Sequence, residues 1–205
     1  MAELGHGLFG TPGIEGHRAG LCSSPVFSTL DVQQRDNTLT LISEDVHAGL
    51  RLTSELLLDS SGVLKNRHGL TNLQTTVWQA ERLAITLPVA EYARDVMAFH
   101  GRWIREFQPH RLRLEHDSFV LENRRGRTSH EHFPAIITGS GDFGEQRGDV
   151  WGVHLGWGGN HPLRDEVKTD GRRHLQDEAL WMLGDKILHP GETLWTPYLN
   201  ASYTA

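Results

Sequence analysis

The chain has 205 residues and a formal net charge of -6, enough length for one domain or two small ones with a real core. The negative balance argues against a nucleic-acid phosphate backbone as partner, and no apolar run reaches the length of a membrane-spanning helix. One cysteine, Cys22, excludes an internal disulfide and a thiolate metal framework, and it fits a reducing compartment.

The first 25 residues carry five glycines in the first sixteen and read as a loop or extended arm. No charged-then-apolar leader is visible there, so the expected location is cytoplasmic. Beyond the arm, short alternating stretches recur. Leu39 and Leu41 alternate with Thr38 and Thr40. Leu50, Leu52, Leu56 and Leu58 share a face opposite Arg51, Thr53 and Glu55. Leu83, Ile85 and Leu87 follow, then Leu112 and Leu114, then Phe119 and Leu121, then "AIITG". Between them lie "RDN", "DSSG", "GSGDFG" and "TDG", which carry the residues that turns require. Period-two alternation broken by turns at close spacing predicts an antiparallel β-sandwich or barrel. Helical periodicity is weak everywhere except "RRHLQDEALWML", Arg172 to Leu183, which pattern alone leaves open between helix and strand. No repeat or linker divides residues 1–205, so a single domain is expected.

"DVWGVHLGWGGNH", Asp149 to His161, reads as a strand with one bulky face (Trp151, Val153, Leu155, Trp157) and one nearly bare face (Val150, Gly152, His154, Gly156). The bulky face is expected in the core. The bare face admits either a second backbone or a flat ligand such as a sugar.

Thirteen histidines raise the question of a metal. His130 and His132 form an H-x-H pair, with His154 and His161 downstream. The residues after His132, "FPAIITG", supply no glutamate, so a third ligand for zinc or iron has no place, and neither a metal nor any other cofactor is expected. No G-x-S-x-G, H-E-x-x-H or phosphate-cradling loop is present, and Glu44–Asp45 and Asp165–Glu166 are adjacent pairs that point opposite ways on a strand. Two stretches concentrate aromatic and polar groups. "FHGRWIREFQPHR" offers His100, Arg102, Trp103 and Arg105. "ENRRGRTSHEH" offers Arg124, Arg125 and His130. Sugars are held by aromatic faces and planar polar groups, which suits these residues. Salt-bridged surface or an interface suits them equally, because arginine pairs bidentately with carboxylates.

"GLFGTPGIEGHR", "ENRRGRTSH", "GDVWGVHLGWGGNH", "DGRR" and "PGETLWTPYLNASYT", in this order over nearly the whole chain, resemble the amino-terminal domain of bacterial α-galactosidases of glycoside hydrolase family 36. In the "GGNH" turn, Gly158 stands where similar sequences commonly have serine. The resemblance implies an all-β antiparallel β-supersandwich, galactose-mutarotase-like, with little helix. It also implies a catalytic (β/α)₈ barrel that carries both catalytic aspartates elsewhere, so no catalytic residue is expected in this chain. By the same resemblance the chain lacks early strands of the sandwich and stops before the barrel. The implied partners are α-galactoside sugars such as raffinose or melibiose, the catalytic barrel and further copies in a homo-oligomer, with neither nucleic acid nor membrane. The family places an aromatic sugar contact at His100, with Trp103 the nearest indole. Arg102, Arg124, Arg125, His130 and Asn160 are candidates for the wall of the site or an interface. A free-standing lectin-like module is the alternative.

Overall fold

A computed structural model describes residues 1–7 and 9–205. Seventeen strands are described. In chain order they are β1 (Ile14–His17), β2 (Ser28–Arg35), β3 (Thr38–Asp45), β4 (Leu50–Leu58), β5 (Leu64–Asn72), β6 (Trp78–Leu83), β7 (Ile85–Val89), β8 (Asp95–Arg102), β9 (Arg105–Arg113), β10 (Asp117–Asn123), β11 (Ala135–Gly139), β12 (Val150–Leu155), β13 (His161–Val167), β14 (Arg173–Asp177), β15 (Lys186–Leu188), β16 (Thr193–Trp195) and β17 (Leu199–Thr204). The fold is all-β, and the strand pairs are antiparallel. One layer is a ten-stranded sheet running β2-β3-β4-β5-β17-β12-β11-β8-β9, with β16 paired to β5. The other layer is two smaller sheets, β1-β6-β15 and β10-β13-β14-β7.

Alternation explains how the layers meet. Leu50, Leu52 and Leu70 of the large sheet bury against Ile14, Trp78, Leu83 and Leu188 of the three-stranded sheet. Val96, Ile136, Val153, Leu155 and Leu199 bury against Ile85, Leu163 and Leu175 of the four-stranded sheet. Turn chemistry fixes the register. In "DSSG" the Asp59 carboxylate accepts from the Ser61 and Val63 backbone N–H groups at 2.9 and 3.1 Å, and Gly62 takes the left-handed φ of 85°. Leu56 and Leu58 share the inward face with Leu50 and Leu52, but they lie past the edge of the second layer, and Leu58 is 49 % exposed.

Two expectations are corrected, and one open stretch is assigned. The opening arm is less loose than a loop. It holds a 3-10 turn, Leu4–His6, and strand β1. Gly16 is the reason β1 can dock, since a β-carbon there would meet the Gln79 carbonyl oxygen at 2.4 Å and the Trp78 Nε1 at 2.7 Å. The ambiguous Arg172–Leu183 stretch is strand β14 followed by extended chain, and every residue of β14 is buried. Its inner face meets the core, and the arm helps to cover its outer face. There the Thr11 N–H donates to both Glu166 oxygens at 3.0 Å, and Gln176 Nε2 donates to the Thr11 carbonyl at 3.3 Å. A strand buried on both faces shows no period-two polarity. Trp157, expected in the core, lies beyond the end of β12 and is exposed. Trp151 sits at the rim, 5.1 Å from the Tyr203 ring, while Val153 and Leu155 are buried as the pattern requires.

Charge is buried within the four-stranded sheet and at its seam with the three-stranded one. Arg173 and Asp165 pair at 3.1 Å with almost no exposure. Burial holds the Asp177 carboxyl well above the usual carboxylate range. Burial also pushes Glu178 up from 4.5 to about 7, although Arg82 stands 2.9 Å away. A carboxyl that keeps its proton more tightly folded than unfolded contributes stability that is complete below about 4.5 and lost as pH climbs to about 7. Buried His174 and His68, held down to about 4 and about 3 by desolvation, act in the opposite direction, so their stability rises with pH. Comparison with Glu178→Gln isolates the glutamate. Between about pH 4.5 and 7.5 the wild-type chain should lose on the order of 3 kcal/mol relative to Glu178→Gln in urea unfolding. Parallel pH profiles for the two proteins would contradict the assignment.

Candidate functional site

The β8–β9 hairpin leaves the sandwich at its root. Val96 and Ala98 are buried, whereas β9 is an edge strand exposed along nearly its whole length. The two strands slip register between His100 and Arg102. Gly101 permits a close crossing over the 124–134 segment, because a β-carbon there would meet the Arg105 carbonyl oxygen at 2.6 Å and that of His130 at 2.9 Å. The tip presents Trp103 and Ile104, 79 % and 78 % exposed. Ile104 has φ 68°, a left-handed conformation that a β-branched residue occupies at a cost of about 1–3 kcal/mol. On the return strand Phe107, at φ 51°, sets its ring 5.3 Å from Phe133.

Phe133 is the hub of the site. It also meets Phe99 edge-on at 6.3 Å and His154 at 5.6 Å. Around it lies a cleft of about 400 Å³ lined by Phe107, Thr128, Ser129, Phe133, His154 and Trp157. His154 comes from the bare face of β12 and lines this cleft at the end of the strand.

Two loops close the cleft and lock one another. Buried Asn123 donates from Nδ2 to the Arg127 carbonyl at 2.6 Å and accepts the Arg125 N–H at 3.0 Å. Asn160 Oδ1 accepts the Gly126 N–H at 2.6 Å, and the Thr128 N–H donates to the Gly158 carbonyl at 2.8 Å. Trp157 Nε1 donates to the Asn160 carbonyl at 3.0 Å, and the indole lies over Gly159, where a β-carbon would meet Nε1 at 2.6 Å. Gly159 of "GGNH" therefore lets an indole fold back over its own turn.

The residues named from sequence fall into two groups. His100 and Trp103 are exposed on the hairpin, with His100 edge-on to His110 at 5.8 Å. Arg102 flanks the tip opposite Arg105. The others are engaged in holding loops. Arg124 pairs with Glu122, Arg125 pairs with Glu131 at 2.5 Å, half-buried His130 sits under Gly101, and Asn160 ties the two loops. His154 was read on the bare face of β12 and Trp157 in the core, while Phe107 and Phe133 were not singled out. The aromatic density of "FHGRWIREF" and "HFP" was their signal.

The chemistry available follows from this inventory. Aromatic faces beside hydroxyls and an imidazole suit a neutral polyol ring. Among the described residues no Asp or Glu lines the cleft, whereas glycoside hydrolysis needs two carboxyl groups about 5–9.5 Å apart. Burial lowers His161 below the usual imidazole range, and the nearby His132 and His154 add to this. Among the described residues no three His, Cys, Asp or Glu side chains converge on a metal position.

Comparison with known proteins agrees with this architecture. Residues 1–177 match the glycosyl hydrolase family 36 N-terminal domain. An α-galactosidase of Escherichia coli is 65 % identical over 205 residues, which are all of this chain and 29 % of that protein. The galactosidase domain of the α-galactosidase-sucrose kinase AgaSK superposes with a TM-score of 0.91 at 21 % identity, covering 100 % of this chain and 31 % of that one. A raffinose complex of the Geobacillus stearothermophilus α-galactosidase AgaA superposes with a TM-score of 0.84 at 20 % identity, covering 96 % of this chain and 30 % of that one. The antiparallel sandwich, the order of its motifs and the match over residues 1–177 lead to one conclusion: this chain belongs to the glycosyl hydrolase family 36 N-terminal domain family.

Proposed function

We propose that this chain is the non-catalytic sandwich domain of a cytoplasmic α-galactosidase that cleaves terminal α-galactosyl groups from sugars such as raffinose or melibiose. The observation that carries the reading is an aromatic cleft with no carboxylate in its lining among the described residues, on a chain that spans 29 % of its E. coli relative. In this reading the β8–β9 hairpin and the cleft line the approach to the sugar, with His100 and Trp103 as contacts, while a catalytic barrel supplies the two carboxyl groups that retaining hydrolysis requires. The relative's name, α-galactosidase, and the raffinose bound to AgaA support the substrate class. The exposed thiol of Cys22 suits a reducing cytoplasm.

The same reading includes association with further copies. The inward face of the large sheet runs past its cover, leaving Val32, Leu58 and Tyr203 exposed beside half-buried Leu39, Leu41, Leu56 and Leu64. Apolar surface of this kind marks contact faces. Light scattering on the purified chain should show concentration-dependent self-association that Leu58→Lys reduces. A clean monomer at high concentration, with no dye bound to apolar surface, would count against it.

The purified chain should not turn over a nitrophenyl α-galactoside. An open cleft buries little of a sugar, so raffinose should bind on the order of millimolar or weaker. Turnover that disappears when an Asp or Glu within residues 1–205 is replaced would overturn the reading, because it would place the catalytic carboxyl groups in the sandwich.

A further inference from the structure

The hairpin tip carries two features that the isolated chain gains nothing from. A turn whose second central residue has positive φ ordinarily takes glycine or asparagine, since a β-carbon is crowded there. This one holds Ile104 at φ 68°, a β-branched side chain in the least suitable place. Core packing does not compensate, because Ile104 and the neighbouring Trp103 project into solvent. Strain of this kind persists only when the surroundings determine it. Here they do. Glu106 Oε1 accepts the Ile104 N–H at 2.8 Å, and the Glu106 carbonyl accepts from Gln108 Nε2 at 3.0 Å. Behind the tip, Gly101 crosses the His130 carbonyl and Phe107 rests on Phe133. The hairpin is thus fixed at its base and clamped at its turn.

We infer that Ile104 and Glu106 are positioning residues for the Trp103 indole. The strained turn and its carboxylate clamp fix the direction of the indole, and Ile104 extends the apolar surface beside it that meets a neutral sugar ring. This rests on the proposed α-galactoside reading for the ligand, but the ordering of the indole does not depend on it. A glycine at position 104 relieves the strain and frees the turn. A glutamine at position 106 keeps the acceptor oxygen, whereas an alanine removes it.

The test uses the 205-residue chain and follows the Trp103 indole N–H by nitrogen-15 relaxation, alongside thermal unfolding and raffinose titration. Ile104→Gly should raise the midpoint by about 2–4 °C, as relief of a strained residue does in a chain of this size. In the same variant the indole should pass from ordered to mobile, with an order parameter below about 0.6. Glu106→Ala should mobilise it as well, and Glu106→Gln should leave it ordered. The raffinose half-saturation of the indole shift should weaken about threefold or more in Ile104→Gly and Glu106→Ala and hold in Glu106→Gln. An indole equally mobile in the wild type and the variants would overturn the inference, and so would an Ile104→Gly chain that is more stable but unchanged in indole order. An indole ordered by these residues but unmoved by raffinose would support the positioning and contradict the sugar reading.

Discussion

The ten-stranded sheet is wider than anything that covers it, and the rest of the structure follows from that mismatch. The two smaller sheets bury its middle through Leu50, Leu52 and Leu70 at one end and Val96, Val153, Leu155 and Leu199 at the other. Beyond the cover, strands lose their buried neighbours. Strands β2 and β9, at the two margins, are almost wholly exposed. An exposed edge is a hazard, and Pro109 on β9 removes one donor from it. The same freedom from packing lets the β8–β9 hairpin project. Its base is held by the Phe107, Phe99 and Phe133 contacts and its tip is free to meet something else.

Rigidity at the cleft comes from a different source than rigidity in the core. The core is apolar and layered. The cleft loops have little to bury, so they are held by hydrogen bonds from short polar side chains and backbone groups, with Asn123 and Asn160 at the centre. The 157–160 loop accepts from two backbone N–H groups of the 124–128 loop, so the two shapes depend on one another. The second layer adds a third device, in which the opening arm straps the outer face of the four-stranded sheet through Glu166, Gln176 and Ala84. That strap encloses polar side chains such as His174 and Glu178, and the buried charges that result make the seam sensitive to pH.

The legible part of the sequence was what obeys period two with one face wet. Strands β3 and β4, the "DSSG" turn and the inward leucines were readable for that reason. Strand β14 was not, because the arm and the core bury both its faces and erase the alternation. Strand β1 was hidden by its own glycine. Gly16 reads as loop and in fact serves close packing over Trp78. At the site, some of the motif residues hold loops in the structure. Arg125 and Asn160 look like ligand groups in sequence, yet each has its partner within the loops. Trp157 broke its own pattern, since the strand ends before it and the glycine turn folds the indole back. Phe133 could not be ranked above other aromatics from sequence, because its role depends on three segments far apart in the chain meeting at one ring.

The central claim is that the sugar-facing surface lies on the β8–β9 hairpin and the two interlocked loops. Chemical-shift mapping of the isotope-labelled chain with raffinose tests it most directly. The account predicts saturable shifts confined to residues 99–107, 124–134 and 154–161, with Trp103, Phe133 and Trp157 among the largest. Shifts centred instead on the apolar rim around Trp151 and Tyr203, or no saturable shifts at hundreds of millimolar sugar, about as weak as binding can be measured, would contradict it.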